Sequence, residues 1–365
     1  MSATPTISGG EAMARECARQ DVRTVFALSG AAHTQLLRSL SADGVRVVST
    51  RHETATVCAA DGFARVSGKV GVALIKDEQG LANAVTGIVT AQKAGTPVVV
   101  LVSTRPGSWI EAHHEAEDDP LALARGIAKW VRNVPSPDRV AEYLAEAFHQ
   151  AATGRTGVAV LGVRQEFGRA QVSAAAPLAK TVLPIPPAAP ETSAIDAAAT
   201  LLLAARRPMI LVGGGAYRSG AGPALRQLAE ALGAPVMGHA QGRGLAPEDH
   251  ILGFGWPLAQ VAARDADVVL CVGVRLGQRF GYGRAPRFSP DVKFIQIDTV
   301  AEEIGRHRPI DAPIVADARL GLEALCAAVG APAPRDTGWV NAAMAVRLAR
   351  IAELEVEGNG AIHPL

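Results

Sequence analysis

The chain has no surplus of either charge. Its 365 residues carry 36 lysines and arginines against 35 aspartates and glutamates, a formal net charge of +1. That balance supplies no field for holding nucleic acid or an anionic membrane, and neither partner is expected. Cysteine is scarce. Cys17, Cys58, Cys271 and Cys326 are scattered, mostly among apolar neighbours, and form no C-x-x-C. A disulfide framework is excluded, and reduced core thiols of a cytoplasmic protein are expected. The first residues, MSATPTISGGEAMARE, have neither the basic nor the apolar region of a secretory signal. No apolar run reaches the roughly 18 residues of a membrane span.

Hydrophobic content is 48% and charged content 19%. A chain of this length exceeds one ordinary core, so two domains are expected. In the first half, apolar segments alternate with amphipathic ones. RTVFALSG, VRVVST, VGVALIK, TPVVVLVS and TGVAVLGV read as strands. AHTQLLRSL, GLANAVTGIVTAQ and DRVAEYLAEAFHQAATG read as helices. The strands are continuous apolar runs rather than alternating ones, which marks burial on both faces in a parallel sheet between helices. AAAPLAKTVLPIPPAAPET has no periodicity and reads as a semi-rigid linker. A second series follows: PMILVGGG, APVMG, ADVVLCVGV, VKFIQID and APIVAD as strands, with AIDAAATLLLAARR and AGPALRQLAEALG as helices. The expected fold class is α/β, two doubly wound domains with mainly parallel sheets flanked by helices. The expected domains are 1–170 and 192–332, a linker at 171–191, and a helix and tail at 333–365.

Several segments carry groups able to do chemistry. In VVSTRHETATVCAADGFAR, a strand-like end runs into a helix through Arg51, His52 and Glu53. Thr50 and Glu53 also spell T-x-x-E, so Thr50 is expected to accept from the Glu53 amide as a capping box. ALSGAAH contains Ser29, Gly30 and His33 beyond the first strand. Gly30 suits an ordinary turn, and a histidine on a helix is more often structural. IKDEQGLANAV places Asp77, Glu78 and Gln79 before Gly80 and Asn83. Two carboxylates there must face solvent, find partners or be functional, because an unpaired buried charge is costly. WIEAHHEAEDDP is dense in histidine and carboxylate, but its spacing matches no common metal site. LVGGGAYRSGAG approaches a dinucleotide fingerprint and fails it, with Arg218 where the third glycine belongs; an NAD-dependent dehydrogenase is therefore disfavoured.

Taken in order from Gly9 to about Gln165, the strand before RHE, the helix AADGFAR, GKVGVALI and NAVTGIVTAQKAGTPVVVLVS resemble the pyrimidine-binding domain of thiamine-diphosphate enzymes. QGRGLAPEDHILGFG, ADVVLCVGVRLG and FIQIDTVAEEIGR resemble the same family's central domain. Benzaldehyde lyase, the 2-hydroxyacyl-CoA lyases and acetolactate synthase are the members it most resembles. The resemblance implies that Glu53 bonds N1′ of the cofactor's aminopyrimidine. From there it favours the imino form of the 4′-amino group, which takes the proton from the thiazolium C2. Gln79, Gly80 and Asn83 are implied to lie along the cofactor, with Val57, Cys58, Ala59 and Ala60 as small walls. Ser29, Gly30, His33, His113, His114 and Glu115 are implied on the substrate side; benzaldehyde lyase has a histidine where this chain has Ser29. Many members have an uncharged Ser-Gly-Pro-Gly where this chain has Asp77, Glu78, Gln79 and Gly80. Some members hold FAD or ADP in the central domain, with an acid at the place of Asp298; in others that domain is purely structural.

The family holds the diphosphate and Mg²⁺ through a Gly-Asp-Gly motif and a later Asn, and no Gly-Asp-Gly occurs in these residues. Two explanations are open: a separate diphosphate-binding subunit, or a longer enzyme of which this is a piece. The expectation is a pyrimidine-binding subunit that self-associates as dimer or tetramer and binds a small-molecule substrate. With a Gly-Asp-Gly partner it would form a C–C lyase, carboligase or 2-oxoacid decarboxylase that is inactive without that partner. Acetolactate-synthase-like condensation and a non-catalytic, nucleotide-binding regulatory or scaffold subunit are the alternatives.

Overall fold

The computed structural model describes residues 5–109, 119, 121–174, 186–247, 250–255, 260–331 and 338–354. It divides into two compact units, Met1–Ile185 and Pro186–Leu365.

The first unit is built on six strands: β2 (Thr24–Leu28), β3 (Arg46–Ser49), β4 (Gly71–Lys76), β5 (Val98–Thr104), β6 (Trp130–Asn133) and β7 (Val158–Arg164). They lie in the order β3-β2-β4-β5-β7-β6, and every pair is parallel. β4, β5 and β7 are buried almost throughout, as their unbroken apolar runs predict. β3 lies to one side of β2 and β4 to the other. The carboxyl ends of β2 and β4 are therefore a topological switch point, where loops diverge and leave a crevice.

Two helices on this sheet matter most. α3 (Glu53–Ser67) follows β3, and α4 (Asp77–Ala94) follows β4. Missing Cβ atoms let them come close. A Cβ on Gly71 of β4 would lie 2.2 Å from the Ala60 carbonyl oxygen of α3. A Cβ on Gly87 of α4 would lie 2.9 Å from Val57 Cβ. α3 is thus seated tightly on both the sheet and its neighbour.

Some elements differ from the sequence reading. Gly9–Arg19 is a helix, α1, although it opens with two glycines. Both are needed for contact: a Cβ on Gly9 would meet the Phe167 carbonyl at 2.2 Å, and one on Gly10 the Leu36 amide at 2.5 Å. Residues 171–173, expected in the linker, form a strand β8 (Gln171–Ser173) that pairs antiparallel with β1 (Thr6–Ser8).

The second unit has its own six-stranded sheet: β9 (Pro208–Val212), β10 (Val236–Gly238), β11 (Gly253–Phe254), β12 (Val268–Val272), β13 (Lys293–Asp298) and β14 (Ala312–Val315). The order is β11-β10-β9-β12-β13-β14, again all parallel. Among its flanking helices are Thr192–Ala204, Gly222–Leu232 and Ala318–Val329. The glycine turn after β9 is explained by packing: Cβ atoms on Gly213 and Gly215 would lie 2.5 Å from the Gly273 carbonyl and 2.7 Å from Gly273 Cα. Cys17 and Cys271 are buried, and burial pushes the Cys17 thiol up to about 12. Cys58 departs from the expectation of core thiols, lying exposed on α3. No described helix is long and apolar enough to cross a membrane.

Candidate active site

The carboxyl edge of the first sheet gathers three of the sequence-singled segments. Ser29 and Gly30 follow β2, Glu53 follows β3, and Gln79, Gly80 and Asn83 follow β4.

Glu53 is the first residue of α3 and is 5% exposed. A carboxylate in a helix's first turn lies at the positive end of its dipole. Its neighbour on α4 fixes it. Asn83 Nδ2 donates to Glu53 Oε2 at 3.0 Å. Oε1 faces Gly80, where a Cβ would lie 3.0 Å away. Only the absence of a side chain at 80 keeps that oxygen clear. Thr54 Oγ1 donates to the Asn83 carbonyl and ties the two helices together at the same level.

The cap of α3 corrects the sequence reading. His52, not Thr50, is the N-cap, and its Nδ1 accepts from the Thr54 amide at 3.2 Å. Thr50, just past β3, is still paired with β2: its amide donates to the Ala27 carbonyl at 3.0 Å, and its hydroxyl meets Thr56 Oγ1 at 2.5 Å. Glu53 is three positions after Thr50, but the chain turns only after Thr50, so the T-x-x-E spacing never becomes a capping box. The expected small-residue wall is also divided. Val57 and Ala60 are buried, while Cys58 is exposed.

The two carboxylates of the β4–α4 turn have partners. Asp77 Oδ1 accepts from the Gly80 amide at 3.2 Å, and its other oxygen lies 3.5 Å from Lys76 Nζ. Glu78 Oε2 lies 3.4 Å from Arg105 Nε, both side chains being mostly buried. Asp77 takes a positive φ of 34°, uncommon for a residue with a side chain. The turn is thus held at one end by the Asp77 cap and at the other by an ion pair to the loop after β5.

Ser29 is exposed, and Gly30 packs against the ends of two other strands. A Cβ on Gly30 would sit 2.6 Å from Ser103 Oγ and 3.0 Å from Lys76 Cβ. Ser103 Oγ accepts from the Ala32 amide at 3.0 Å. Sequence reasoning missed Ser103; its signal is a polar residue closing the buried run VVVLVST. His33, named as a substrate-side residue, is fully buried, and burial pulls its imidazole down to about 4. Gln79 and Asn83 are exposed. His113, His114 and Glu115 lie outside the described residues.

This arrangement can present one oxygen of a held carboxyl group to a flat ring nitrogen from a crevice wall with no side chain at 80. Residues 7–123 match the model of the thiamine pyrophosphate enzyme N-terminal TPP binding domain, and residues 195–325 match that of the central domain of the same enzymes. A probable acetolactate synthase large subunit of Methanocaldococcus jannaschii is 33% identical over 333 residues, covering 88% of this chain and 56% of that protein. An acetolactate synthase of Mycobacterium leprae is 34% identical over 330 residues, covering 88% and 52%. An acetolactate synthase large subunit of Corynebacterium glutamicum is 32% identical over 328 residues, covering 87% and 52%. The chain spans about half the length of the curated relatives it matches. With both domain models matched in order, each on its own parallel α/β sheet, the chain belongs to the thiamine pyrophosphate enzyme family.

Proposed function

We propose that this chain is the pyrimidine-binding part of a thiamine-diphosphate enzyme that makes or breaks a carbon–carbon bond next to a carbonyl. Acetolactate-synthase-like condensation of 2-oxo acids is the favoured chemistry, because the similar proteins carry that name. When bound, the cofactor supplies an electron sink for the carbanion equivalent of the substrate carbonyl.

The observation that carries the reading is the state of Glu53: buried, anchored through Oε2 by Asn83, with Oε1 against the bare Gly80. These residues fit the aminopyrimidine end of the cofactor. Glu53 holds or shares a proton at the ring nitrogen. Asn83 fixes which way the carboxyl points, and Gly80 leaves room for the ring. Ser29 and Gly30, beyond β2, line the substrate side, and Asp77, Glu78 and Arg105 fix the turn that carries Gly80. The diphosphate and Mg²⁺ are assigned to a Gly-Asp-Gly domain, supplied either by a partner chain or by a longer form of this protein.

The test is Glu53→Gln, assayed with the diphosphate-binding half, thiamine diphosphate and Mg²⁺ present. Loss of a group that moves a proton at the cofactor is expected to lower turnover by about 10²–10⁴-fold. Cofactor binding, read by calorimetry, is expected to weaken while the far-ultraviolet dichroism stays unchanged. Unchanged turnover and unchanged cofactor affinity would sink the reading.

A further inference from the structure

We propose that His33 is a positioning residue for the substrate-side loop, an uncharged latch that holds the Gly30 backbone and lets go in acid. The Gly30 amide donates to His33 Nδ1 at 3.4 Å, and the His33 amide donates back to the Gly30 carbonyl at 3.0 Å. The two residues close a reciprocal ring across Gly30–His33, a segment that packs against the carboxyl ends of β4 and β5. From the other side, Ser103 holds the same segment through Ala32.

The bonding fixes the tautomer. Nδ1 accepts, so the neutral ring carries its hydrogen on Nε2. Nε2 is buried without a hydrogen-bond partner. A proton added at Nδ1 would remove the acceptor that Gly30 uses and place a charge in a fully buried ring. The neighbours give that charge no relief. Among the described residues, the segments packed most closely on Ala31–His33 are β5, the helix Thr34–Ala42 and the turn Gln165–Gly168. β5 has no charged residue. The helix brings Arg38, a cation. The turn brings Glu166, flanked by Arg164 and Arg169, and Glu166 Oε1 is engaged by the Gly107 amide. Burial is the sole cause of the depressed basicity of His33.

The latch is a property of this chain alone. Its bearing on substrate rests on the placement of Ser29 and Gly30 proposed above.

The experiment is histidine side-chain nitrogen NMR on the full chain from pH 8 to pH 4, with hydrogen exchange of the Gly30 amide corrected for intrinsic rates. His33 is expected to stay as the Nε2–H tautomer through pH 6.5, where a free histidine titrates. Gly30 protection is expected to fall as pH drops from about 6.5 to about 4, by up to about tenfold per pH unit, and to level off below that. His33→Asn keeps an uncharged acceptor and should preserve protection through that range; His33→Leu should lose it at every pH. A His33 midpoint near 6.5, the other tautomer, or Gly30 protection indifferent to pH would overturn the latch. If His33→Leu does not fold, the wild-type titration decides alone. Glu53→Gln should leave Gly30 protection unchanged, so failure of the latch and failure of the Glu53 assignment are separate results.

Discussion

Asn83 gives its side-chain amide to Glu53: Nδ2 lies 3.0 Å from Oε2, joining the first turn of one helix to the second turn of the next. The same asparagine takes the Thr54 hydroxyl on its carbonyl. One residue thus fixes both the spacing of the helices and the direction of the carboxyl group.

Replacing it separates those two effects. Asn83→Ala removes the amide but leaves its backbone carbonyl for Thr54. Asn83 is exposed, so the stability cost is expected near the low end for a hydrogen bond, about 0.5 kcal/mol by urea denaturation. Turnover with the diphosphate half present is expected to fall about tenfold, because Glu53 is free to turn. Asn83→Asp sets a second carboxylate against the first and should fall further.

Gly80→Ala tests the open side of the same carboxyl. The added Cβ would lie 3.0 Å from Oε1, so Glu53 must give by a few tenths of an ångström. Gly80 has a helical backbone, where alanine gains up to about 1 kcal/mol over glycine. Stability is therefore expected to change by less than about 1 kcal/mol. Cofactor affinity, measured by calorimetry in the presence of the diphosphate half, should drop by about tenfold or more. A variant that is both as stable and as tight as the parent would show that the space before Oε1 is not used.

Much of this was legible before the structure. VGVALIK, TPVVVLVS and TGVAVLGV are apolar at nearly every position because β4, β5 and β7 are covered on both faces. β6 left no such trace. It is an edge strand of four residues with Arg132 and Asn133 exposed, too short and too polar to stand out. α1 was hidden by its two glycines, which serve packing partners at Phe167 and Leu36, far along the chain, and carry no local helix signal. Glu53, Gly80 and Asn83 were singled out because their order along the chain resembles a family pattern. Their geometry was not: a spacing cannot reveal that Thr50 is still paired with Ala27, or that Glu78 meets Arg105 across the sheet.

His33 gives the fold an acid-side weakness with a definite sign. Its folded-state basicity, about 4, lies below the usual 6.5. Between those values the unfolded chain binds a proton that the folded chain refuses, so stability is lost as pH falls through the window. The limit is about 1.4 kcal/mol per pH unit, or roughly 3 kcal/mol in all. Glu16 acts in the opposite sense. Its burial raises its carboxyl above the usual value of 4.5, so its contribution is present in acid and lost as pH rises. Subtracting the curve of His33→Gln from that of the parent cancels Glu16. The difference, from urea midpoints at pH 7, 6, 5 and 4, should shift progressively against the parent as pH falls; a flat difference would contradict the buried neutral ring.

The seat of α3 can be tested without cofactor or partner. A Cβ at Gly71 would lie 2.2 Å from the Ala60 carbonyl oxygen and 2.8 Å from its carbon, both backbone atoms of α3. No rotamer relieves that overlap, so the helix bearing Glu53 must lift from β4. Gly71→Ala is expected to cost about 3 kcal/mol, the upper end for overpacking. Gly62→Ala is the control on the same helix. Nothing lies within 4 Å of the added carbon. Gly62 sits inside α3, where alanine is favoured over glycine by about 1 kcal/mol. Opposite shifts of the urea midpoint are expected from two glycine-to-alanine changes nine residues apart. A Gly71→Ala protein as stable as the parent would mean that α3 does not rest on β4 as described, and that the burial of Glu53 has another source.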